Sequence, residues 1–248
     1  MKILAIGNSF SQDATRYLHQ IARADQFNLQ VVNAYRGGCP LSYHYANTLS
    51  DEKGYDLEFN GFTTGFRMSI RDALESGAWN QFDVITVQQV SHQSFDYNNY
   101  QPYLNGLVEF IRKYAPKTKL YVHQTWAYLK DSPRLAAMGF ATPEEMFAQI
   151  KPTYDIAAKE IGADGIIPSG EAFRKLMDHG VYYMHRDNIH ASSGFGRYVL
   201  GLTWYETLTG RTVANNSFCD FDEPVTAEEI ALAKKVAHEA AEAYRSLR

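Results

Sequence analysis

Three residues of the chain have the side chains of a serine-dependent acyl-transfer site, although they lie near opposite ends of the sequence. Ser9 follows an apolar run that stops at Gly7, whereas Asp187 and His190 lie three positions apart near the other end. On a loop or single turn, that spacing lets the carboxylate accept from one imidazole nitrogen while the other nitrogen faces a nucleophile. These residue types therefore indicate a nucleophile, a general base and an orienting acid.

Each of these residues also has an ordinary structural interpretation. Asn, Ser and Asp are common helix N-caps, which accounts for Ser9 in isolation. Asp187 is typical of a local turn, and His190 can cap the helix that we predict from about Ser192. His185, Asp187 and His190 could together bind a metal, but an H-x-D-x-x-H cluster without further ligands is a weak signal. The combination of Ser9 with the later pair favours catalysis, and we expect no metal.

The elements that must position these residues are strands that are apolar without alternation, as in a parallel sheet covered on both faces. Such runs are residues 3–6, 28–35, 84–87, 119–123 and 165–168, and a helical segment follows each run. Five strand–helix units predict the α/β class, a three-layer α/β/α sandwich with a mainly parallel five-stranded sheet. Ligands bind at the carboxyl ends of the strands in such sheets, where we place Ser9 in the loop before a helix over residues 13–26.

The chain has 248 residues and shows neither an internal repeat nor a low-complexity linker, which predicts one domain over residues 1–248. Residues 51–68 contain three glycines and some alternation of apolar and polar side chains. This segment predicts a short hairpin inserted between helices. A helix over residues 69–78 is expected to follow it.

Composition excludes two classes of partner. The net charge of -4 and the sequence pI of about 6.1 give no basic surface for nucleic acid or for a membrane. No stretch approaches the ~20 apolar residues of a membrane helix. Lys2 leads directly into the first strand, so we expect a soluble, cytoplasmic protein; a chain that had lost an export signal would look the same. Cys39 and Cys219 are expected to be free thiols, and the sequence leaves the oligomeric state open.

Polar groups at two other strand exits are candidates for stabilising negative charge near Ser9. The segment Arg36–Leu41 has two glycines before a proline, which marks a constrained loop that could expose backbone N–H groups. Gln88 and Gln89 follow the third strand. They either satisfy local hydrogen bonds or direct an amide N–H at a developing oxyanion, and the sequence does not separate these alternatives.

Aromatic residues gather at the exits of the third and fourth strands, where core packing and the wall of a sugar or acyl pocket are alternative explanations. We expect substrate contacts from four residues at these exits, namely Trp126, Tyr128, Tyr97 and His92. Phe95 and Tyr100 complete the predicted aromatic rim.

G-N-S after the first strand, G-G after the second and D-x-x-H before the last long helices resemble the SGNH (GDSL-like) hydrolase superfamily, in particular a bacterial branch that begins G-N-S-F. The resemblance implies a Ser9 nucleophile with His190 and Asp187, and an oxyanion hole that includes the N–H groups of Ser9 and Gly38. The family's G-x-N-D block, whose Asn normally gives an oxyanion donor, is missing. Gln88, or else Gln89, is the expected substitute.

The resemblance implies a serine esterase without a cofactor. A polar aromatic rim and the lack of a long apolar lid favour a small acyl ester, acetyl first, of a carbohydrate or similar polar alcohol. A lipid or thioester hydrolase is the alternative enzyme, although it needs an extended apolar groove. A carbohydrate-binding protein on an inactive hydrolase scaffold is the non-enzyme alternative, against which the joint presence of Ser9, Asp187 and His190 argues.

Overall fold

A computed structural model describes residues 1–75 and 82–245 of the protein, and within them seven strands form one sheet. The strands are Lys2–Gly7 (β1), Gln30–Tyr35 (β2), Tyr55–Phe59 (β3), Phe62–Met68 (β4), Val84–Val87 (β5), Lys119–His123 (β6) and Gly165–Ile167 (β7). Their order across the sheet is β4-β3-β2-β1-β5-β6-β7. Strands β2, β1, β5, β6 and β7 are parallel, which confirms the predicted α/β fold.

The hairpin predicted for residues 51–68 forms, but it joins the sheet. Strand β3 pairs antiparallel with β2, and β4 pairs with β3, so the prediction of a five-stranded sheet is wrong by two strands. Pairing with β3 satisfies the backbone groups along a β2 edge that would otherwise be open. The Asn33 amide on β2 also donates to the Glu58 carboxylate on β3 at 2.8 Å. The hairpin therefore completes hydrogen bonding on both the backbone and a buried side chain of β2.

Helices cover both faces of the sheet. In the described ranges they are Ser9–Thr15 (α1), Leu18–Ala24 (α2), Leu41–Ser50 (α3), Ile70–Glu75 (α4), Tyr103–Tyr114 (α5), Pro133–Ala137 (α6), Pro143–Glu160 (α7), Ser169–Asp178 (α8), Phe195–Thr209 (α9) and Ala227–Arg245 (α10). Ile3 and Ala5 of β1 face the layer of α1, α2, α8, α9 and α10, whereas Leu4 and Ile6 face α3, α4 and α5. This alternation explains why β1 is apolar without interruption from Ile3 to Ile6.

Two predicted helices differ from the observed ones. The helix expected over residues 13–26 is two helices, α1 and α2, and it begins earlier, at Ser9. The helix expected over residues 69–78 is observed as α4, and residues 76–78 lie outside the described part of the chain. Cys39 and Cys219 are free, as predicted. No helix among the described residues is long and apolar enough to cross a membrane.

Candidate active site

Strand β1 turns directly into α1 at Gly7, Asn8 and Ser9. A Cβ at Gly7 would lie 2.5 Å from the Ser11 hydroxyl oxygen, so this close turn requires glycine. The Asn8 side chain accepts the Phe10 N–H at 3.1 Å and caps the helix. The N-cap is thus Asn8 and not Ser9, the cap that the sequence suggested, and Ser9 is the first residue of α1. A strand and a helix together fix the Ser9 hydroxyl at the carboxyl edge of the sheet.

The structure brings Ser9, His190 and Asp187 into one hydrogen-bonded series. The Ser9 hydroxyl oxygen lies 2.8 Å from His190 Nε2, and His190 Nδ1 lies 2.7 Å from Asp187 Oδ2. An ionised carboxylate can only accept, so the proton of the neutral ring is assigned to Nδ1. His190 Nε2 is then the acceptor for the Ser9 hydroxyl, which is the geometry of a base beside a nucleophile.

The Asp187 carboxylate is held in its charged form by local donors. Its Oδ1 accepts the backbone N–H groups of Ile189 and His190, both at 2.8 Å. Partial burial raises the pKa of Asp187, but these N–H groups and the His190 imidazole outweigh burial and lower the pKa to about 2. Asp187 is therefore ionised at neutral pH and able to stabilise positive charge on His190.

A buried tryptophan links the Asp187–His190 turn to the start of α1. The Trp126 indole N–H donates to the carbonyl oxygen of Ile189 at 2.9 Å. The Phe10 ring, directly after Ser9, stacks on Trp126 with 4.0 Å between ring centroids. Trp126 thus supports both halves of the Ser9–His190 pair from beneath.

The predicted substrate-contacting aromatics are mostly placed elsewhere. Trp126 and Tyr128 are 0% and 1% exposed, so the expectation that they line a substrate pocket is wrong. The Tyr97 hydroxyl donates to Glu160 in the last turn of α7 and is not brought to the triad by any contact among the described residues. His92 alone of the four predicted residues is exposed at its strand exit. These aromatic rings follow strands but point into the helical layers, where burial is favourable.

The loop after β2 lies beside the β1–α1 junction. The Arg36 N–H donates to the Gly7 carbonyl at 3.2 Å, and the Asn8 amide donates to the Cys39 carbonyl at 3.0 Å. Gly38 lies between these two anchors, is exposed, and has φ of +64°, which favours glycine. Its N–H has no hydrogen-bond partner within residues 1–75 and 82–245. The loop geometry therefore leaves the Gly38 N–H available next to the turn formed by Gly7, Asn8 and Ser9.

Gln88 and Gln89 are both buried, and their side-chain amides form hydrogen bonds to other groups of the protein. The Gln88 amide N–H donates to Asn8 Oδ1 at 2.7 Å, and its carbonyl oxygen lies 2.6 Å from His123 Nδ1. The Gln89 amide N–H donates to the Asn99 carbonyl at 2.9 Å. The predicted role of either glutamine as a direct oxyanion donor is therefore not supported, and the alternative, local hydrogen bonding, is what the structure shows.

Gln88 belongs to a directional chain of buried hydrogen bonds. Burial lowers the pKa of His123 to about 3, so the ring is neutral. The Gln88 carbonyl accepts from His123 Nδ1, and His123 Nε2 accepts the Ser169 hydroxyl at 3.0 Å. The chain runs from the β7 exit through β6 and β5 to Asn8. It fixes which end of the Asn8 amide faces the Cys39 carbonyl.

We expect Gln88→Met to reduce the free energy of unfolding by about 1–3 kcal/mol, because it leaves the buried His123 Nδ1–H without an acceptor. Urea unfolding measures this loss. The exposed Gln149 offers the matched control, and Gln149→Met should leave the unfolding free energy within about 0.5 kcal/mol of wild type. Equal stability of the two variants would contradict the role of Gln88 in this buried series of hydrogen bonds.

His185 is not directed at Asp187 and His190. Its Nε2 lies 3.0 Å from the Ala127 carbonyl oxygen, and burial lowers the pKa of His185 to about 4. The neutral ring therefore donates to the backbone. The H-x-D-x-x-H pattern is divided between this structural histidine and the Asp187–His190 pair.

Asp13 was not predicted from the sequence, yet it is a fully buried carboxylate on the helix that carries Ser9. It pairs with Arg186 at 2.7 Å and with Arg197 at 2.9 Å. The sequence contained a signal for it, because an acidic residue one helical turn after Ser9 lies on the same helix face as Ser9. The partners of Asp13 could not be predicted, since they lie more than 170 positions away in the sequence.

The comparisons agree with this fold. The family described as a domain of unknown function (DUF4886) matches residues 2–240. The crystal structure of a DUF4886 family protein from Bacteroides uniformis ATCC 8492 is 34% identical, covers 97% of this chain and 94% of that chain, and has a TM-score of 0.89. A search of the curated proteins finds no match.

Two more distant structures share the fold alone. TesA is 15% identical, with a TM-score of 0.53 over 85% of this chain and 99% of that chain. A member of the lipolytic protein G-D-S-L family from Veillonella parvula DSM 2008 is 13% identical, with a TM-score of 0.50 over 84% of this chain and 98% of that chain. The resemblance to GDSL-like proteins is therefore confirmed at the level of the fold. By its match over nearly the whole sequence, the chain belongs to the DUF4886 family.

Proposed function

We propose that the protein is a serine hydrolase that transfers an acyl group from an ester to water. The observation that carries this proposal is the series from the Ser9 hydroxyl through His190 to Asp187, with contacts of 2.8 and 2.7 Å. A hydroxyl is a weak nucleophile until an adjacent base removes its proton, and the base needs a third group to orient it. The order of the contacts, from Ser9 to His190 to Asp187, supports these three roles.

In the proposed reaction, the Ser9 oxygen attacks the ester carbonyl carbon while His190 Nε2 takes the hydroxyl proton. Asp187 stabilises the resulting imidazolium. The tetrahedral intermediate collapses, the bond to the alcohol oxygen breaks, and His190 gives its proton to that alcohol. Water then attacks the acyl group on Ser9 with His190 again as base, which releases the acid and restores the Ser9 hydroxyl.

The backbone N–H groups of Ser9 and Gly38 are the proposed oxyanion donors. Ser9 begins α1, so its N–H has no acceptor within that helix. Gly38 lies on the loop that the Asn8 amide ties to the same junction. Donors fixed before the reaction stabilise the developing charge without reorganisation. We assign Gln88 the indirect task of orienting Asn8.

The proposed substrate is a small acyl ester, acetyl first, of a carbohydrate or similar polar alcohol. The exposed side chains on the triad turn are polar, Arg186 and Asn188 among them, which favours a polar leaving group. Burial of Trp126 and Tyr128 removes them as sugar platforms, so the alcohol depends on this polar rim. A lipid or thioester hydrolase is the alternative enzyme.

A fluorophosphonate probe tests the nucleophile without a known substrate. We expect one equivalent of probe on native protein, located at Ser9 by peptide mass spectrometry, because His190 activates that hydroxyl. Heat-denatured protein is the control and should not react. Absence of labelling would remove the hydrolase proposal and leave the inactive carbohydrate-binding scaffold as the better explanation, whereas labelling at another residue would remove Ser9 as the nucleophile.

An ester panel tests the substrate class. We expect kcat/KM to be highest for acetyl esters and to fall from p-nitrophenyl acetate to the decanoate, with acetate released from acetylated sugars. The sequence predicts no extended apolar groove, and without one a longer acyl chain adds no favourable contacts. A rate that rises with chain length would support the lipid or thioester alternative.

A further inference from the structure

The buried carboxylate of Asp13 lies one helical turn after Ser9 in α1. Ser9 and Asp13 are four positions apart in α1, so both side chains lie on one face of the same helix. Ser9 is directed at His190 Nε2. Asp13, one turn further on, is directed at the residues that flank the Asp187–His190 turn.

The contacts of Asp13 hold this turn at both ends. Its Oδ1 accepts from Arg186 Nη1 at 2.7 Å, and Arg186 directly precedes Asp187. Its Oδ2 accepts the N–H of Ala191 at 3.1 Å, and Ala191 directly follows His190. Arg186 also donates to the carbonyl oxygen of Ala191, which closes the turn on itself.

The burial of this group points to a specific task. Asp13 is 0% exposed, and an ionised carboxylate is costly to bury unless donors surround it. Arg197 supplies a further donor at 2.9 Å from the start of α9. A buried ion pair is weak support for stability, because an apolar set of similar volume often replaces it without loss. Its geometry, in contrast, fixes one segment against another.

We propose that Asp13 is a positioning residue that sets the separation between the Ser9 hydroxyl and His190 Nε2. One face of α1 carries both Ser9 and Asp13, and Asp13 holds the turn that carries His190. The Ser9 hydroxyl and His190 Nε2 are therefore kept at a fixed separation. This inference rests on the proposed function. A displacement of about 1 Å at a reacting pair costs on the order of 100-fold in rate.

Kinetics of Asp13→Asn test this role. We expect kcat for the best ester to fall about 100-fold per folded molecule with KM within 3-fold of wild type, because Asp13 is buried beneath the site. Asp222→Asn is the matched control, since Asp222 pairs with Arg16 and Arg197 but has no contact with the 186–191 turn among the described residues. Its kcat should stay within 3-fold. Equal kcat in the two variants would overturn the proposal.

Hydrogen exchange gives a readout independent of activity. In Asp13→Asn we expect about 10-fold or faster exchange at the amides of Ile189, His190 and Ala191, with no change at Leu4 and Ala5 of β1. A merely structural role would accelerate both sets, which would overturn the proposal. Asp222→Asn should change neither set.

If Asp13→Asn does not fold, Arg186→Met takes its place. This variant keeps the ion pair between Asp13 and Arg197 but removes the hydrogen bond from Arg186 to Asp13. We expect it to lower kcat about 10-fold and to accelerate hydrogen exchange at the amides of Ile189, His190 and Ala191. Wild-type values for both would overturn the proposal. Failure of Ser9 to react with the fluorophosphonate would instead remove the proposed function, while the exchange data still decide whether Asp13 holds the turn.

Discussion

Replacement of Ser9 by alanine is expected to lower kcat for the best ester by about 10⁶-fold, because no side chain of the enzyme then attacks the ester. His190 and Asp187 remain in Ser9→Ala, but no acyl-enzyme can form because His190 has no hydroxyl to activate. Any remaining acceleration comes from binding and from the oxyanion donors alone. Steady-state hydrolysis of the best ester, with the same ester in buffer as background, measures the loss.

Ser11→Ala is the matched control for this substitution. Ser11 lies on the same helix, but its buried hydroxyl lies 2.8 Å from both the Asn8 carbonyl and Asn33 Oδ1, away from His190. We expect its kcat within about 10-fold of wild type and a loss of stability of about 1 kcal/mol. Retention of more than about 1% of the wild-type rate in Ser9→Ala would show that another group is the nucleophile.

The parallel part of the fold was predictable from the sequence because burial on both faces leaves a direct mark. Strands β1 and β5 are apolar at nearly every position, and each leads into polar residues at the same edge. The hairpin was predictable as a local pattern, but its place in the sheet was not. Pairing of β3 with β2 depends on the open edge of a distant strand, which no local pattern records.

The proximity of Ser9, His190 and Asp187 was predictable from their residue types and from one short spacing. Asp187 and His190 are close in sequence, and Ser9 follows the first strand, so topology placed them at one edge. The task of Gln88 was not predictable, because its partners Asn8 and His123 lie 80 and 35 positions away. A strand exit indicates the edge of the sheet at which a side chain lies, but not the layer into which it points.

The same limit explains the error at Trp126. Its ring lies at the carboxyl edge, as expected, yet it turns down onto Phe10 and donates to Ile189 rather than facing a ligand. The polar and aromatic groups around Ser9 therefore support the Ser9 and His190 side chains. Asp13, Asn8 and Trp126 each connect α1 to a segment from another part of the chain, and these contacts explain how a seven-residue helix can hold the Ser9 hydroxyl in place.

Asp187→Asn is expected to lower kcat about 10⁴-fold at neutral pH while the protein remains folded. An amide cannot stabilise the imidazolium that forms as Ser9 attacks, and its N–H favours the wrong tautomer of His190. Steady-state kinetics on the best ester measure the loss. The control is Asp178→Asn on α8, an exposed carboxylate paired with Arg174 at 2.8 Å, which should leave kcat unchanged.

The pH dependence of the unfolding free energy tests whether the negative charge of Asp187, and not only the size of its side chain, stabilises the protein. Because its pKa is lowered from 3.8 to about 2, its contribution to stability is present above about pH 4 and is lost as the pH falls toward 2. The difference in unfolding free energy between wild type and Asp187→Asn, measured by urea unfolding, should therefore shrink between pH 5 and about pH 2. A difference that is constant across this range, together with kcat within 10-fold of wild type, would show that Asp187 neither carries the proposed charge nor orients His190.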